Sequence, residues 1–289
     1  AVTITSSPLA TIIPPSIVMV LYSWMTGIPV STVFLAGFIP GALMGLGLMI
    51  VSYFISKKYE YGYKRKFNFR SFLKSFTQSL PALLMPLIIL GGIFGGIFTA
   101  TEAGAVAVIY GLIIGLFVYK EIKLKDLPRI FMNTCATTGG VMLLLALTSA
   151  FGWVMTAEQI PLQVTQFFFR FTPNGLVFLL FVIVICLIIG SFLTPTAALS
   201  IMVPIFVPVA RGFNVHLLHL GLVMLVTLSL GHFTPPVGLC LYIGSSISGI
   251  PIAKLFKPVL PFLLTMVFIA VLLAIFPQII FFLPNLLTG

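Results

Sequence analysis

Charge is scarce in this 289-residue chain: Asp, Glu, Lys and Arg together make up 7% of it, against about a quarter in water-soluble domains. That shortage excludes an ordinary soluble domain, and a 60% hydrophobic content excludes a disordered one. Acid is scarcer than base, five residues against 15, which leaves a formal charge of +10. Cysteine is nearly absent. Cys135, Cys186 and Cys240 stand far apart, share no metal-ligand spacing and each lie within an apolar stretch, so they read as small packing residues. Histidine is as rare. His216 and His219 fall at a loop-helix boundary with no carboxylate beside them and read as interface residues rather than a metal set. What is abundant is Phe (28), Gly (25) and Pro (20). These describe apolar helices that are repeatedly bent or interrupted, because neither Gly nor Pro suits a continuous helix interior. The solvent is lipid, and at about 20 residues per span the chain has room for roughly eight or nine crossings or half-crossings. The chain opens at Ala1 on TITSSPLATIIPPS, without a basic leader or a small-residue cleavage site, and reads as a fragment lacking an N-terminal part.

Polar stretches divide the apolar ones. Residues 1–56 hold an apolar run broken at Pro14 and Pro15 and then one span ending at Lys57 and Lys58. From Lys57 to Lys74 there are seven Lys/Arg and one acid, Glu60, interleaved with Tyr59, Tyr61, Tyr63, Phe67, Phe69 and Phe72. Snorkelling cations and aromatics both favour the headgroup layer, so 57–80 is expected as a cytoplasmic interfacial helix rather than a nucleic-acid surface. Residues 81–119 suit a helical hairpin turning near Thr99 to Glu102, where Glu102 is either a helix cap or an intramembrane functional carboxylate. A span over 130–157 follows, then an interfacial stretch over 159–173. Between 175 and 211 there is too little chain for two full spans and a loop. A re-entrant hairpin with its tip at Thr194 to Ala198 is therefore expected. A second broken helix, 216–247, is interrupted at HFTPP, and a last span runs over 259–284.

The chain also repeats itself. PPSIVMVLYSWMTGIPVSTVFLAGFIP, from Pro14, matches PPVGLCLYIGSSISGIPIAKLFKPVLP, from Pro235: each has PP, then GIP (Gly27–Pro29 and Gly249–Pro251), then Phe34 or Phe256. In the first copy the basic pair, Lys57 and Lys58, comes after the long helix. In the second, Lys254 and Lys257 come before it. If basic ends are cytoplasmic the copies are antiparallel. This is the inverted-topology duplication of secondary transporters, with 1–56 closing the first repeat and 81–289 forming the second. A Pro-Pro step removes two backbone donors, so nearby carbonyls lose intrahelical partners and become free to hold a cation. Hydroxyls add oxygens: Ser6, Ser7 and Thr11 at the first break, Thr234 at the second, Ser191, Thr194 and Thr196 at the hairpin tip. Oxygen-only sites without a fixed carboxylate suit Na⁺ better than a thiol- or imidazole-seeking metal. Helix N-termini after each break favour an anionic substrate, and His232, inside the second break, is placed to meet it.

At GGIFGGIFTATEAGAVAVIYG (91–111), TPTAALSIMVPIFVPVA (194–210), FTPPVGLCL (233–241) and IIPPS (12–16), the chain resembles the large membrane subunit of TRAP transporters, the tripartite ATP-independent periplasmic family. The resemblance spans nearly the whole chain. It implies an elevator-type carrier in a bacterial cytoplasmic (inner) membrane. An extracytoplasmic solute-binding protein and a small membrane subunit would be its partners, and a Na⁺ gradient would drive uptake of a small organic acid such as a C4-dicarboxylate or sugar acid. It further implies one Na⁺ site on Ser7, Thr11, Ile13 and Pro14, and another on Thr194, Pro195 and Thr196 with Gly231, Thr234 and Pro235. Substrate would lie against Ser6, Ser191 and His232. Many members carry a carboxylate where this chain has Thr194, and a glycine-rich stretch where it has Ser7, Pro8 and Ala10. The fold expected is thus an all-α polytopic membrane protein, an inverted-repeat elevator-type transporter with a re-entrant hairpin and broken transmembrane helices, with no enzymatic function and no cofactor beyond Na⁺. The competing readings are an anion symporter or antiporter of related fold working without a binding protein, an intramembrane hydrolase using Ser191 or Ser200, and a channel-like subunit. No Ser/His or paired-carboxylate arrangement falls at a common depth to support the hydrolase.

Overall fold

A computed structural model describes residues 1–61, 68–171 and 174–288, and every regular element among them is helical. Two short helices, α1 (Val2–Ser6) and α2 (Leu9–Ile12), lead to the first Pro-Pro step; α3 (Ile17–Thr26) resumes beyond it, and α4 (Val30–Lys58) follows. Next come α5 (Phe69–Phe94), α6 (Ala100–Ile113) with a π-helical extension over Ile114–Val118, and α7 (Leu127–Ala157). The remainder is α8 (Ile160–Phe171), α9 (Gly175–Gly190), α10 (Pro195–Gly212), α11 (Leu217–Gly231), α12 (Leu239–Ser248), α13 (Ile252–Ile275) and α14 (Gln278–Thr288). Seven helical segments among the described residues are long and apolar enough to cross a bilayer, counting the broken run Val2–Thr26 as one. The chain is a multi-pass membrane protein. It forms two compact units, Ala1–Tyr61 with Ala146–Gly289, and Gly62–Leu145.

In the smaller unit α5 and α6 make an antiparallel hairpin. The Tyr110 hydroxyl donates to the Pro81 carbonyl at 2.8 Å and the Tyr119 hydroxyl to the Gln78 carbonyl at 2.8 Å. The turn occupies Gly95 to Thr99 and ends in a capping box: the Glu102 amide donates to the Thr99 hydroxyl, and the Thr99 amide to the Glu102 carboxylate. Glu102 is therefore a helix cap. Among the described residues of 57–80 there is no separate interfacial helix: Lys57 and Lys58 end α4, and Asn68 caps α5, which runs on past Leu80 to Phe94. Pro81 forfeits one intrahelical donor without ending the helix. Residues 62–67 of that stretch, with Tyr63, Lys64 to Lys66 and Phe67, lie outside the described residues.

In the larger unit α11 is the central helix, with every residue from Leu218 to Gly231 buried. Around it pack α9, α10 and α13. Small residues set the closest approaches, as is common between helices that lipid surrounds. Tyr22 of α3 lies over Gly221, and the backbone of Gly190 lies on that of Gly231. The final stretch, expected as one span over 259–284, is two helices. α13 starts at Ile252, ends at Ile275, and is followed beyond Pro277 by α14. Pro277 has no N–H for the Leu273 carbonyl, and His219 takes that carbonyl at 2.8 Å through Nε2, which must carry the proton because a carbonyl only accepts. His216 caps α11, its Nδ1 accepting from the Leu218 amide at 3.1 Å. Both residues have structural partners, and no group of three or more metal-ligating side chains occurs among the described residues.

The two repeated segments adopt the same local structure. α3 and α12 are each ten residues long and each end on a glycine in the left-handed region, Gly27 at φ +76° and Gly249 at φ +69°. There a Cβ is disfavoured. Each glycine amide donates to a serine carbonyl, Ser23 or Ser245, at 2.9 Å. Each serine hydroxyl in turn donates to the carbonyl of Ile28 or Ile250. Pro29 and Pro251 then open α4 and α13.

Candidate functional site

Both Pro-Pro steps, Pro14-Pro15 and Pro235-Pro236, are cis and interrupt helical runs. In the first, Pro14 and Pro15 have no N–H to offer the carbonyls of Ala10 and Thr11, their helical acceptors. The Ser16 hydroxyl replaces one, donating to the Thr11 carbonyl at 2.6 Å. In the second, Pro235 and Pro236 leave the carbonyls of Gly231 and His232. The Thr234 amide reaches Gly231 at 3.0 Å and the Cys240 amide reaches His232 at 2.8 Å. Backbone oxygens thus turn out of the helix ladder at matching places in both copies.

The two broken segments run antiparallel beside one another. Ile4 lies against Gly244, the Ser7 hydroxyl is 3.5 Å from the Cys240 thiol, the Thr11 hydroxyl is 2.6 Å from that of Ser229, and the Tyr22 hydroxyl donates to the Leu217 carbonyl. Numbers rise along one strand of contacts as they fall along the other. The hairpin of α9 and α10 joins them at its turn, Ser191 to Thr194. Its Ser191 carbonyl accepts from the Gly238 amide at 3.2 Å. A Cβ on Gly231 would stand 2.1 Å from the Gly190 carbonyl carbon. This contact needs glycine because backbone touches backbone.

Most of the residues singled out from sequence lie on this junction. Ser7 is exposed and lines a cavity of about 480 Å³ with Ala1, Ile4, Cys240 and Gly244. Thr11 bridges to Ser229, while Ile13 and Pro14 sit at the first break, Ile13 over Gly41 of α4. Thr194 and Thr196 hydroxyls are 3.2 Å apart at the start of α10, whose first residue is Pro195, so the turn lies three residues earlier than the expected tip at Thr194 to Ala198. Proline at the first helical position explains the shift, since its ring is already set for the helix and the missing N–H is one the helix start does not use. Gly231, Thr234 and Pro235 belong to the second break; the Thr234 hydroxyl donates back to the Leu230 carbonyl at 2.8 Å. Ser191 is buried and donates to the Ile188 carbonyl at 2.7 Å. His232 Nε2 is buried with no hydrogen-bond partner in the structure. Ser6 differs. It donates to the Thr3 carbonyl at 3.2 Å and lines a cleft with Leu48, Met49 and Ser52 of α4, on another face of α1 from Ser7. Ser229 is missing from the sequence reading because nothing in an apolar helix marks one serine as facing a distant break.

Helix starts converge here as well. Gly238, which precedes the first residue of α12, donates to the Ser191 carbonyl at the end of α9, four residues ahead of α10, and Ser16, which precedes α3, bonds to the residue that reaches Ser229. Free N–H groups at helix starts carry partial positive charge. Hydroxyls, carbonyls turned out of the helix ladder and positive helix ends are the groups that a small hard cation and a carboxylate use.

Comparison with known proteins gives the same direction. Residues 1–279 match the family model described as tripartite ATP-independent periplasmic transporter, DctM component. The chain is 36% identical over 277 residues to the C4-dicarboxylate TRAP transporter large permease protein DctM of Pseudomonas aeruginosa, a match covering 96% of this chain and 65% of that one. It is 37% identical over 278 residues to the sialic acid TRAP transporter large permease protein SiaM of Vibrio cholerae, covering 96% and 65%. An uncharacterized protein of Salmonella typhimurium, YgiK, is 38% identical over 287 residues, covering 99% and 66%. The chain thus spans 65–66% of the length of these relatives.

Proposed function

Because the chain belongs to the DctM component family of tripartite ATP-independent periplasmic transporters, we propose that it serves as a large permease subunit importing a small organic acid with Na⁺. The observation that carries this reading is the antiparallel pair of broken helices with the hairpin turn seated on the second break. Two equivalent interruptions facing each other from opposite directions are the arrangement in which secondary transporters bind cargo and coupling ion near the midplane. Gly47 of α4 also meets Ile269 of α13, which stands to it as Gly249 stands to Gly27. A residue that touches its own counterpart marks a two-fold axis, and this supports an inverted repeat.

On this reading α9 and α10 are a re-entrant hairpin. The mobile body comprises that hairpin and the two broken helices, and it slides against a fixed scaffold in the manner of an elevator. Na⁺ is held at two places, the first at the break bearing Ser7, Thr11, Ile13 and Pro14, the second among Thr194, Pro195, Thr196, Gly231, Thr234 and Pro235. The carboxylate of the cargo is met by helix starts, by Ser191 and by the unpartnered His232 Nε2. Ser6 bonds back to Thr3 and lines the cleft against α4, contacts that favour a packing role. No covalent step is involved. Ions and cargo that favour the same state shift the population toward the loaded, movable form by their differential affinity. The names of two relatives, one for a C4-dicarboxylate and one for sialic acid, support a carboxylate cargo. Partners on this reading are an extracytoplasmic binding protein and a small membrane subunit, in a bacterial inner membrane.

The test is uptake of a radiolabelled C4-dicarboxylate and of sialic acid into proteoliposomes holding the full-length protein with its co-encoded subunits. Saturable uptake of either that requires both an inward Na⁺ gradient and the binding protein is expected. Uptake that proceeds without the binding protein would instead favour a one-component anion carrier, and uptake indifferent to Na⁺ would remove the coupling ion.

A further inference from the structure

Thr11 and Ser229 lie in the final turns of α2 and α11, just ahead of their respective breaks, and the hydroxyl pair they form is short, 2.6 Å. Ser229 is 1% exposed, so water does not compete for it. Each hydroxyl also faces a carbonyl of its own segment: Thr11 reaches Pro8 at 2.7 Å and Ser229 reaches Leu225 at 2.7 Å. Two hydroxyls have two protons, while these three contacts each need one. Only two of the three can be hydrogen bonds at a time. Either Thr11 donates to Ser229 and Ser229 to Leu225, which frees the Pro8 carbonyl of its hydroxyl donor while the Thr11 amide still reaches it at 3.1 Å, or Ser229 donates to Thr11 and Thr11 to Pro8, which frees the Leu225 carbonyl of its hydroxyl donor.

Each partner also governs the turn that follows it. The Thr11 carbonyl receives the Ser16 hydroxyl that closes the first break. The Ser229 carbonyl receives the His232 amide at 3.3 Å, at the head of the turn bearing Gly231, His232 and Thr234. We propose that Thr11 and Ser229 form a hydroxyl relay that couples ion binding at the first break to the geometry of the second, with Ser229 a positioning residue that acts through Thr11. The proposal rests on the Na⁺-coupled reading above. A cation drawing on the oxygens of the first break favours the arrangement that frees the Pro8 carbonyl, and this turns the Thr11 proton toward Ser229. The two breaks then respond together, although no ion touches both. Thr11, whose hydroxyl is committed to these contacts, accordingly positions its break rather than supplying a ligand.

The test is equilibrium binding of radiolabelled Na⁺ to the full-length protein purified in detergent, with thermal melting in Na⁺-free buffer as the structural control. Ser229→Ala and Thr11→Val, which keep the packing and remove one hydroxyl, are each expected to raise the half-saturating Na⁺ concentration about fivefold, the scale of one intramolecular hydrogen bond. They are also expected to flatten the binding curve. The double variant is expected to match either single one, because both remove the same bond, and Thr11→Ser restores wild-type binding. Additive effects in the double variant, or a lowered melting temperature with unchanged Na⁺ half-saturation, would overturn the relay and leave the transport reading standing. A wild-type protein that binds no Na⁺ saturably would instead overturn the coupled reading, and the relay with it.

Discussion

At Gly231 one methyl group decides whether the junction closes. A Cβ there would lie 2.1 Å from the Gly190 carbonyl carbon and 2.5 Å from its Cα, and neither belongs to a side chain that can rotate away. Gly231→Ala is therefore expected to cost about 1–3 kcal/mol or more, the range for overpacking a filled interior. Melting of the purified variant in detergent would show it, and a melting temperature equal to wild type would mean the backbones separate freely. Other single residues drew two readings from sequence that the structure separates. Glu102 closes a capping box on Thr99. His219 takes the carbonyl that Pro277 releases. His232 is the one histidine of the three left with a buried, unpartnered ring nitrogen. Burying such a group costs free energy unless something bonds it, so cargo that supplies an acceptor or donor there would recover that cost.

Among elements, the triplets of the Gly-Ile-Pro joints are legible in the sequence as a repeat, and the structure adds that each glycine ends its helix in the left-handed region. The breaks at Pro14 and Pro235 were legible as part of the same repeat. Helix limits set by neighbours were not. Pro81 and Pro86 lie within α5, whereas Pro277 separates α13 from α14. At Pro277 the abandoned Leu273 carbonyl is taken by His219, a residue 54 positions away that no local pattern points to. Partnership across the breaks was hidden too, since Ser229 looks like any serine in an apolar helix. The orientation of the joints can be read directly. In a protein with Cys135, Cys186 and Cys240 replaced, single cysteines at Ile28 and Ile250 are expected to react with an impermeant maleimide from opposite sides of the membrane. Reaction of both from one side would remove the inverted arrangement.

For the molecule as a whole, coupling-ion binding should appear as stability. A ligand that binds only the folded state adds about 2.7 kcal/mol when present at 100 times its dissociation constant. Replacing K⁺ by Na⁺ at constant ionic strength is thus expected to raise the melting temperature of the full-length protein in a saturable manner. An identical temperature in both salts would count against ion sites built from these hydroxyls and carbonyls.

The meeting of Gly190 with Gly231 bears on how cargo is let go. A flap needs a side chain or a loop that can be lifted clear, and here the hairpin turn is laid flush against the neighbouring main chain, with the Leu228 carbonyl 2.6 Å from where a Cβ on Gly190 would stand. Prising the turn away would open a void in lipid with nothing to fill it. On the transport reading proposed above, a barrier so constructed would be easier to carry than to unhinge, and the vessel and its lid would travel as a single piece.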